Sequence, residues 1–247
     1  GGTDVQNGGY GVWIHSSARH NTIGGSAPGQ GNLISGNRSG GIRIDGTPTD
    51  EGNQVLGNLI GTGKTGELAL GNGVAGAGGP GIHVHGGQFT LIGGGYDHAA
   101  NVIAANRGDG VLITGGAQST KIYGNRIGVS RLGDKPLPNE GNGVRIGDLT
   151  LGGATDSAIG GVLVEDGNVI SANVQAGVFL RGEDSRKTVL QNNLIGTNAT
   201  GDSSGPGREF GNGQGGIRIE DAPETQIGDF GDGNVISGNR LYGISIL

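Results

Sequence analysis

A chain of 247 residues fits one or two domains, and its 59 Gly with only 4% aromatic residues imply a narrow, aliphatic core. Collagen is excluded because glycine does not recur at every third position, and disulfides are excluded by 0 Cys. The net charge of −6 argues against general nucleic-acid binding. The sequence contains no apolar run of about 18 residues, so it predicts no membrane-spanning segment.

One stretch of sequence recurs along the chain. It reads GNLISGNRSGGIRI at Gly31–Ile44, GNVISGNRLYGISI at Gly233–Ile246 and, more loosely, GNVISANVQAGVFL at Gly167–Leu180. Repetition of one supersecondary unit is the signature of a solenoid. One aliphatic position recurs every 67 to 69 residues in alternate copies, so the true repeat is a pair of coils; its members are Ile23, Val55, Ile92, Ile122, Ile159, Val189 and Ile227.

Each coil contains three short strand-like segments, which in the first coil are Thr22–Ile23, Asn32–Ser35 and Gly41–Ile44. The third segment alternates in nearly every coil, which predicts that its outer residues face inward and its middle residue outward. Crossovers between parallel strands are nearly always right-handed. The sequence therefore predicts an all-β fold: a right-handed parallel β-helix solenoid with three strands per coil, about seven coils and alternating coil types.

Two series of asparagines recur in register with the coils. Stacked coils would place equivalent side chains about 4.8 Å apart, where their amides can bond one to the next. The first predicted ladder contains Asn32, Asn58, Asn101, Asn125, Asn168, Asn193 and Asn234. The second contains Asn7, Asn37, Asn72, Asn106, Asn142, Asn173, Asn212 and Asn239. The turn preference of asparagine would explain its frequency but not this register.

Insertions occur at fixed corners of the coils. Odd coils carry insertions at Gly24–Gly31, Gly93–Ala100, Gly160–Gly167 and Gly228–Gly233, and even coils at Thr62–Pro80, Val129–Glu140 and Thr197–Gly211. Functional loops and tolerated loops both fit this pattern. Residues 1–247 are interpreted as a single β-helix domain without a capping helix at either end, which indicates a segment of a longer repeat protein or a self-stacking unit.

A row of outward apolar residues precedes the buried Ile of the second segment. The row allows two interpretations, a bend of the strand or an exposed lateral stripe that binds a partner. Its members are Leu33, Leu59, Val102, Val169, Leu194 and Val235, with Arg126 in the same position.

The outward residues of the third segments form a second predicted row. This row is rich in arginine and aromatic residues. Guanidinium groups pair bidentately with carboxylates, so a uronate-containing glycan is a candidate ligand. The alternative is a solvated face whose arginine stems cover neighbouring aliphatic residues. The candidate carbohydrate-binding residues are Trp13, Arg43, His83, Arg145, Phe179 and Arg218.

Metal binding has three candidate sites, and the sequence predicts no resident cofactor. His83 and His85 have a spacing that suits a metal, but Arg43 is predicted beside His83 and would repel a cation. The acidic turns GDG at Gly108–Gly110 and DFGDG at Asp229–Gly233 are similar to calcium loops, although ordinary turn chemistry explains them as well. Calcium is therefore left open.

The phrases TIGGSAPGQGNLISGN, GNLIGTGKTGELALGN and NLIGTNATG resemble repeats of bacterial secreted and cell-surface right-handed parallel β-helix proteins, within the pectate-lyase-like superfamily. The resemblance covers essentially the whole chain. It implies a secreted or cell-surface structural or adhesive module. The uncapped ends and the lateral apolar stripe add the expectation that such a module self-associates into fibres.

The wider superfamily implies an alternative, a polysaccharide-binding or polysaccharide-degrading protein. A lyase would use Arg145 or Arg218 as its base, with nearby carboxylates at Asp148, Glu220 and Asp221. A hydrolase would need two carboxylates about 5–9.5 Å apart. The chain lacks the DPHE motif of alginate epimerases, so its catalytic residues stay unknown.

Overall fold

The computed structural model describes residues 6–46, 52–74, 78–96, 98–203, 209–229 and 231–247. Within these ranges, strands that follow one another in the chain do not pair; each strand pairs in parallel with its counterparts in neighbouring coils. Three sheets of 8, 7 and 7 strands result, together with a single 3-10 turn at Val164–Asp166 among the described residues. The prediction of an all-β parallel β-helix with three strands per coil is confirmed.

The strands are short and follow the three predicted segments. Sheet A contains β1 Tyr10–Ile14, β4 Gly40–Asp45, β7 Ile82–His85, β10 Val111–Thr114, β14 Val144–Ile146, β18 Ala176–Arg181, β21 Gly215–Glu220 and β24 Ile244–Ile246. Sheet B contains β2 Thr22–Gly24, β5 Gln54–Leu56, β8 Leu91–Gly93, β12 Lys121–Tyr123, β16 Ala158–Ile159, β19 Val189–Leu190 and β22 Gln226–Ile227. Sheet C contains β3 Leu33–Ile34, β6 Leu59–Ile60, β9 Val102–Ile103, β13 Arg126–Ile127, β17 Val169–Ile170, β20 Leu194–Ile195 and β23 Val235–Ile236. A small pair joins β11 Ala117–Gln118 to β15 Ala154–Thr155.

The core is a stack of aliphatic side chains that the register brings together. Ile42 pairs with Ile82, and both are fully buried. Each such isoleucine contributes roughly 1.5–3 kcal/mol through burial. One predicted member of the stack is wrong: Leu190, not Val189, faces inward, where it pairs with Ile159 and Ile227. The two residues are adjacent in β19, so only one of them can point inward.

The first predicted asparagine ladder is confirmed along its whole length. At each step the side-chain amide donates to the Asn of the next coil, as from Asn32 to Asn58 and from Asn125 to Asn168, both at 3.0 Å. The backbone N–H donates to the same oxygen, at 2.9 Å between Asn125 and Asn168. Each rung therefore satisfies polar groups at a corner where the sheets cannot satisfy them.

The second ladder is confirmed except at Asn142, where the prediction is wrong. Asn139 takes that place, accepting from the Asn106 amide at 3.0 Å and donating to Asn173 at 2.9 Å. Asn142 lies outside the ladder, and its backbone and side-chain N–H groups donate to Asp109 at 2.7 and 2.8 Å. The reason is geometric, because only Asn139 lies at the corner where the chain turns toward sheet A.

The outward apolar row of sheet C points away from the core, but it is not a continuous exposed stripe. Leu33 and Val235, in the first and last coils, are 49% and 42% exposed. Val102 and Val169, in the middle, are only 4% and 3% exposed. The interpretation of the row as a lateral partner surface therefore does not hold for its middle.

Insertions of the even coils contact one another beside this middle part. The backbone N–H of Arg131 donates to the Gly66 carbonyl at 3.1 Å, and that of Ala199 donates to the Gly133 carbonyl at 3.1 Å. Loops two coils apart thus contact one another and form a second, outer stack alongside sheet C. The insertions are part of the regular architecture, although the sequence alone left them as functional or merely tolerated loops.

Candidate functional site

The outer face of sheet A brings the six candidate carbohydrate-binding residues into one row. In strand order the row reads Trp13, Arg43, His83, Leu112, Arg145, Phe179, Arg218 and Ser245. Because Leu112 separates His83 from Arg145, the row divides into two groups with different surroundings.

The first group contains Trp13, Arg43 and His83, and the side chain of Asp45 bonds to the first two. Its carboxylate accepts hydrogen bonds from the indole Nε1 of Trp13 at 2.6 Å and from Nε of Arg43 at 2.7 Å. The Arg43 guanidinium also lies 5.8 Å from the ring centre of Tyr10. Trp13 stays 57% exposed although its N–H is held. A fixed, exposed indole of this kind is suited to stacking against the apolar face of a sugar.

The second group is built around the ring of Phe179. The guanidinium carbons of Arg145, Arg181 and Arg218 lie 5.8, 5.9 and 5.1 Å from the ring centre. Contacts of this length are cation–π interactions. They cover the ring, which is only 8% exposed. The aromatic side chain therefore serves as a support for three cations and is not itself an open stacking surface.

Both arginines considered as lyase bases are already engaged by carboxylates. Arg145 pairs with Asp148, and Arg218 pairs with Glu220. The pKa of Asp148 is lowered to about 2, above all by the hydrogen bond from the Thr150 hydroxyl and also by the charge of Arg145. Asp148 is therefore ionised at neutral pH, and much of the cationic charge of this group is compensated within the chain.

His83 and His85 meet at Thr114 in the first group. His83 Nε2 lies 2.9 Å and His85 Nδ1 3.1 Å from the Thr114 hydroxyl oxygen. Burial and, to a smaller extent, the charge of Arg43 lower the pKa of His83 to about 4. His83 is therefore neutral at pH 7. Over the described ranges, no group of three or more His, Asp or Glu side chains is arranged to hold a metal ion.

We expect the free energy of unfolding to fall as the pH falls from about 6.5 to about 4. The unfolded chain binds a proton at His83 near pH 6.5, whereas the folded chain does so only near pH 4. The contribution of neutral His83 is thus complete above about pH 6.5 and is lost below it, by at most about 3 kcal/mol. Urea unfolding across this pH range measures the slope.

His83→Gln removes this titration and is expected to flatten that slope. His98→Gln, on an exposed loop, is the matched control for the loss of an exposed imidazole. A slope in His83→Gln equal to that of the unmodified chain would contradict the burial of a neutral imidazole as its cause.

The acidic turn at Gly108–Gly110 has a structural role. Asp109 accepts the two hydrogen bonds from Asn142, and burial raises the pKa of its carboxyl group. The turn at Asp229–Gly233 contains Phe230, which lies outside the described residues, so calcium binding there stays a prediction. Asp221 follows β21 in a left-handed conformation with φ of 52° and does not belong to the outward row.

These features define a class: a parallel β-helix with two asparagine ladders and one outward face rich in arginine and aromatic side chains. Comparisons with protein-family models, with curated proteins and with solved structures found no match. The class therefore rests on the geometry of this chain alone. Within the part of the chain that the structure describes, no helix has the length and apolar character needed to cross a membrane.

Proposed function

We propose that this chain is a structural and adhesive β-solenoid module of a secreted or cell-surface bacterial protein, and that copies of it assemble end to end. The surface of the last coil carries the proposal. Ile244 and Ile246 are 45% and 70% exposed, whereas their partners in the preceding coil, Ile217 and Ile219, are 0% and 4% exposed. Each earlier coil buries this surface under the next, and either a further coil of the same protein or a second copy of the module would bury it in the same way.

The asparagine ladders give such stacking a direction. In the second ladder each Asn donates toward the following coil, as Asn212 does to Asn239 at 2.9 Å. At the other end, Asn7 donates to Asn37 at 2.8 Å, and its own Oδ1 accepts no hydrogen bond from the described residues. In a head-to-tail contact, Oδ1 of Asn7 in one copy would lie next to Asn239 of another copy, in the place that the following coil takes within the ladder. Contacts of this heterologous kind do not close on themselves and produce fibres.

Sedimentation velocity over a range of protein concentrations tests end-to-end assembly. We expect larger species as the concentration rises. The double variant Ile244→Lys, Ile246→Lys is expected to remain monomeric because it places two charges in the apolar contact. The matched control, Leu132→Lys with Leu149→Lys, changes two exposed apolar residues on loops. A monomeric, concentration-independent chain contradicts the fibre proposal, and equal loss of assembly in the control contradicts the assignment to the last coil.

One observation favours a second function, polysaccharide binding on sheet A. Three guanidinium groups are fixed around Phe179. Phe179 lies in the same row as the exposed indole of Trp13. Pairing with a uronate chain would require its carboxylates to compete with Asp148 and Glu220 for these cations. Loss of uronate-polymer binding in Arg145→Gln, Arg218→Gln would support this function, and unchanged binding would contradict it.

A further inference from the structure

A groove lies over sheet C, between the inserted loops of the odd coils and those of the even coils. One section of it has a volume of about 380 Å³, within the range of small-molecule sites. Leu59 and Val102 of the outward apolar row line this section, with Ala27 and Ala100 from the odd-coil loops. The groove is separate from the outward row of sheet A.

The lining of this section is cationic. Lys64, Arg126 and Arg131 contribute to it, together with His98, and none of its described lining residues is Asp or Glu. The next section along the groove shares Arg126 but includes Glu165. Positive charge is therefore concentrated in one section, where low-dielectric walls strengthen its attraction for an anion.

The even-coil wall is braced before any ligand arrives. The backbone N–H of Arg131 donates to the Gly66 carbonyl at 3.1 Å, and Lys135 pairs with Glu67 at 2.8 Å. Two carboxylates of this wall are thus already engaged: Glu67 pairs with Lys135, and Asp134 accepts a hydrogen bond from the Ser130 hydroxyl at 2.8 Å. Lys64 and Arg131 are both exposed and form no ion pair within the described ranges. The loop backbone that carries both residues is held by these bonds, so binding of a ligand need not order the backbone of the wall.

The odd-coil wall is held in a similar way. The backbone N–H of Ala27 donates to the side-chain oxygen of Gln30 at 3.0 Å, which fixes the tip of the first insertion. The Gly57 N–H donates to the carbonyl of Ala99 at 2.8 Å. This bond connects the next odd-coil insertion to the turn between β5 and β6. Both walls are therefore fixed by hydrogen bonds within the chain.

We propose that this section of the groove binds a sugar that carries an oxyanion, a carboxylate or a sulfate. Lys64 and Arg131 would pair with the oxyanion, and the apolar face of the sugar ring would pack on Leu59 and Ala100. A sugar is favoured over a nucleotide because the lining residues that the structure describes include no Phe, Tyr or Trp on which a base could stack. The proposal depends neither on end-to-end assembly nor on the sheet A face.

Isothermal titration calorimetry with trigalacturonate and with a sulfated disaccharide tests the site. Maltotriose, a neutral sugar, and inorganic sulfate serve as separate probes. We expect both anionic sugars to bind, and Lys64→Glu with Arg131→Glu to weaken binding at least about tenfold because attraction becomes repulsion. Arg38→Glu with Lys187→Glu makes the same charge change at exposed positions outside the groove, and we expect it to preserve affinity within about twofold.

Each alternative result has a separate meaning. Equal binding of maltotriose would contradict the role of the anion, and sulfate that binds as tightly as the sugars would contradict the role of the ring. Loss of binding in Arg145→Gln, Arg218→Gln but not in Lys64→Glu, Arg131→Glu would move the ligand to sheet A and overturn the groove. Absence of binding by both anionic sugars would also overturn it, whatever sedimentation shows about assembly. Circular dichroism of each variant confirms that it is folded.

Discussion

Asn125→Ala is expected to lower the free energy of unfolding by about 5 kcal/mol. Oδ1 of Asn125 accepts from the backbone and side-chain N–H groups of Asn101 at 3.1 and 2.9 Å. Its amide donates to the Ile92 carbonyl at 2.9 Å and to Asn168 at 3.0 Å. Alanine leaves several of these buried groups without partners, and each costs about 1–3 kcal/mol. Urea unfolding of the variant measures the loss.

Asn32→Ala is the matched control, because Asn32 belongs to the same ladder but lies exposed in the first coil. It donates to Asn58 from its backbone and side chain, each at 3.0 Å. Water can replace the missing partner there, so we expect a loss of only about 1 kcal/mol. Equal losses in both variants would indicate that turn preference, and not stacking, explains these asparagines.

The fold could be predicted from sequence because stacking identical coils converts spacing along the chain into contact. Residues at the same position in successive coils become strand neighbours, as Arg43 and His83 do. The same logic would have avoided the error at Asn142. In all but one of the coils, the ladder residue lies five positions before the first inward residue of sheet A, and Asn139 stands five before Val144. Position relative to the strand is therefore a better guide than residue type alone.

The candidate site was less predictable, because its chemistry depends on residues that do not repeat. The outward row followed from the register, but the pairing of Arg145 with Asp148 depends on a turn that occurs at one place among the described coils. The groove over sheet C depends on contacts between insertions of unequal sequence, such as that between Arg131 and Gly66. Sequence spacing fixes where such loops leave the scaffold and not how they fold back onto it.

Gly128→Ala is expected to lower the free energy of unfolding by about 4 kcal/mol. Gly128 has φ of 83°, a left-handed conformation that L side chains rarely adopt. An added Cβ would lie inside van der Waals contact of the Ser171 carbonyl oxygen in the next coil, and 2.6 Å from Oδ1 of the ladder residue Asn173. Both atoms belong to fixed parts of the neighbouring coil, so the clash would be relieved only by separating the coils.

Gly152→Ala separates the steric part of this loss from the conformational part. Gly152 also has φ of 83°, but an added Cβ there meets nothing within 4 Å. Its substitution should therefore cost only the left-handed penalty of about 1–2 kcal/mol. Thermal or urea unfolding of both variants yields the difference, which measures how closely successive coils pack at the Asn173 corner. If the two variants lose the same stability, the backbone conformation alone accounts for glycine at this position, and close packing between coils does not require it.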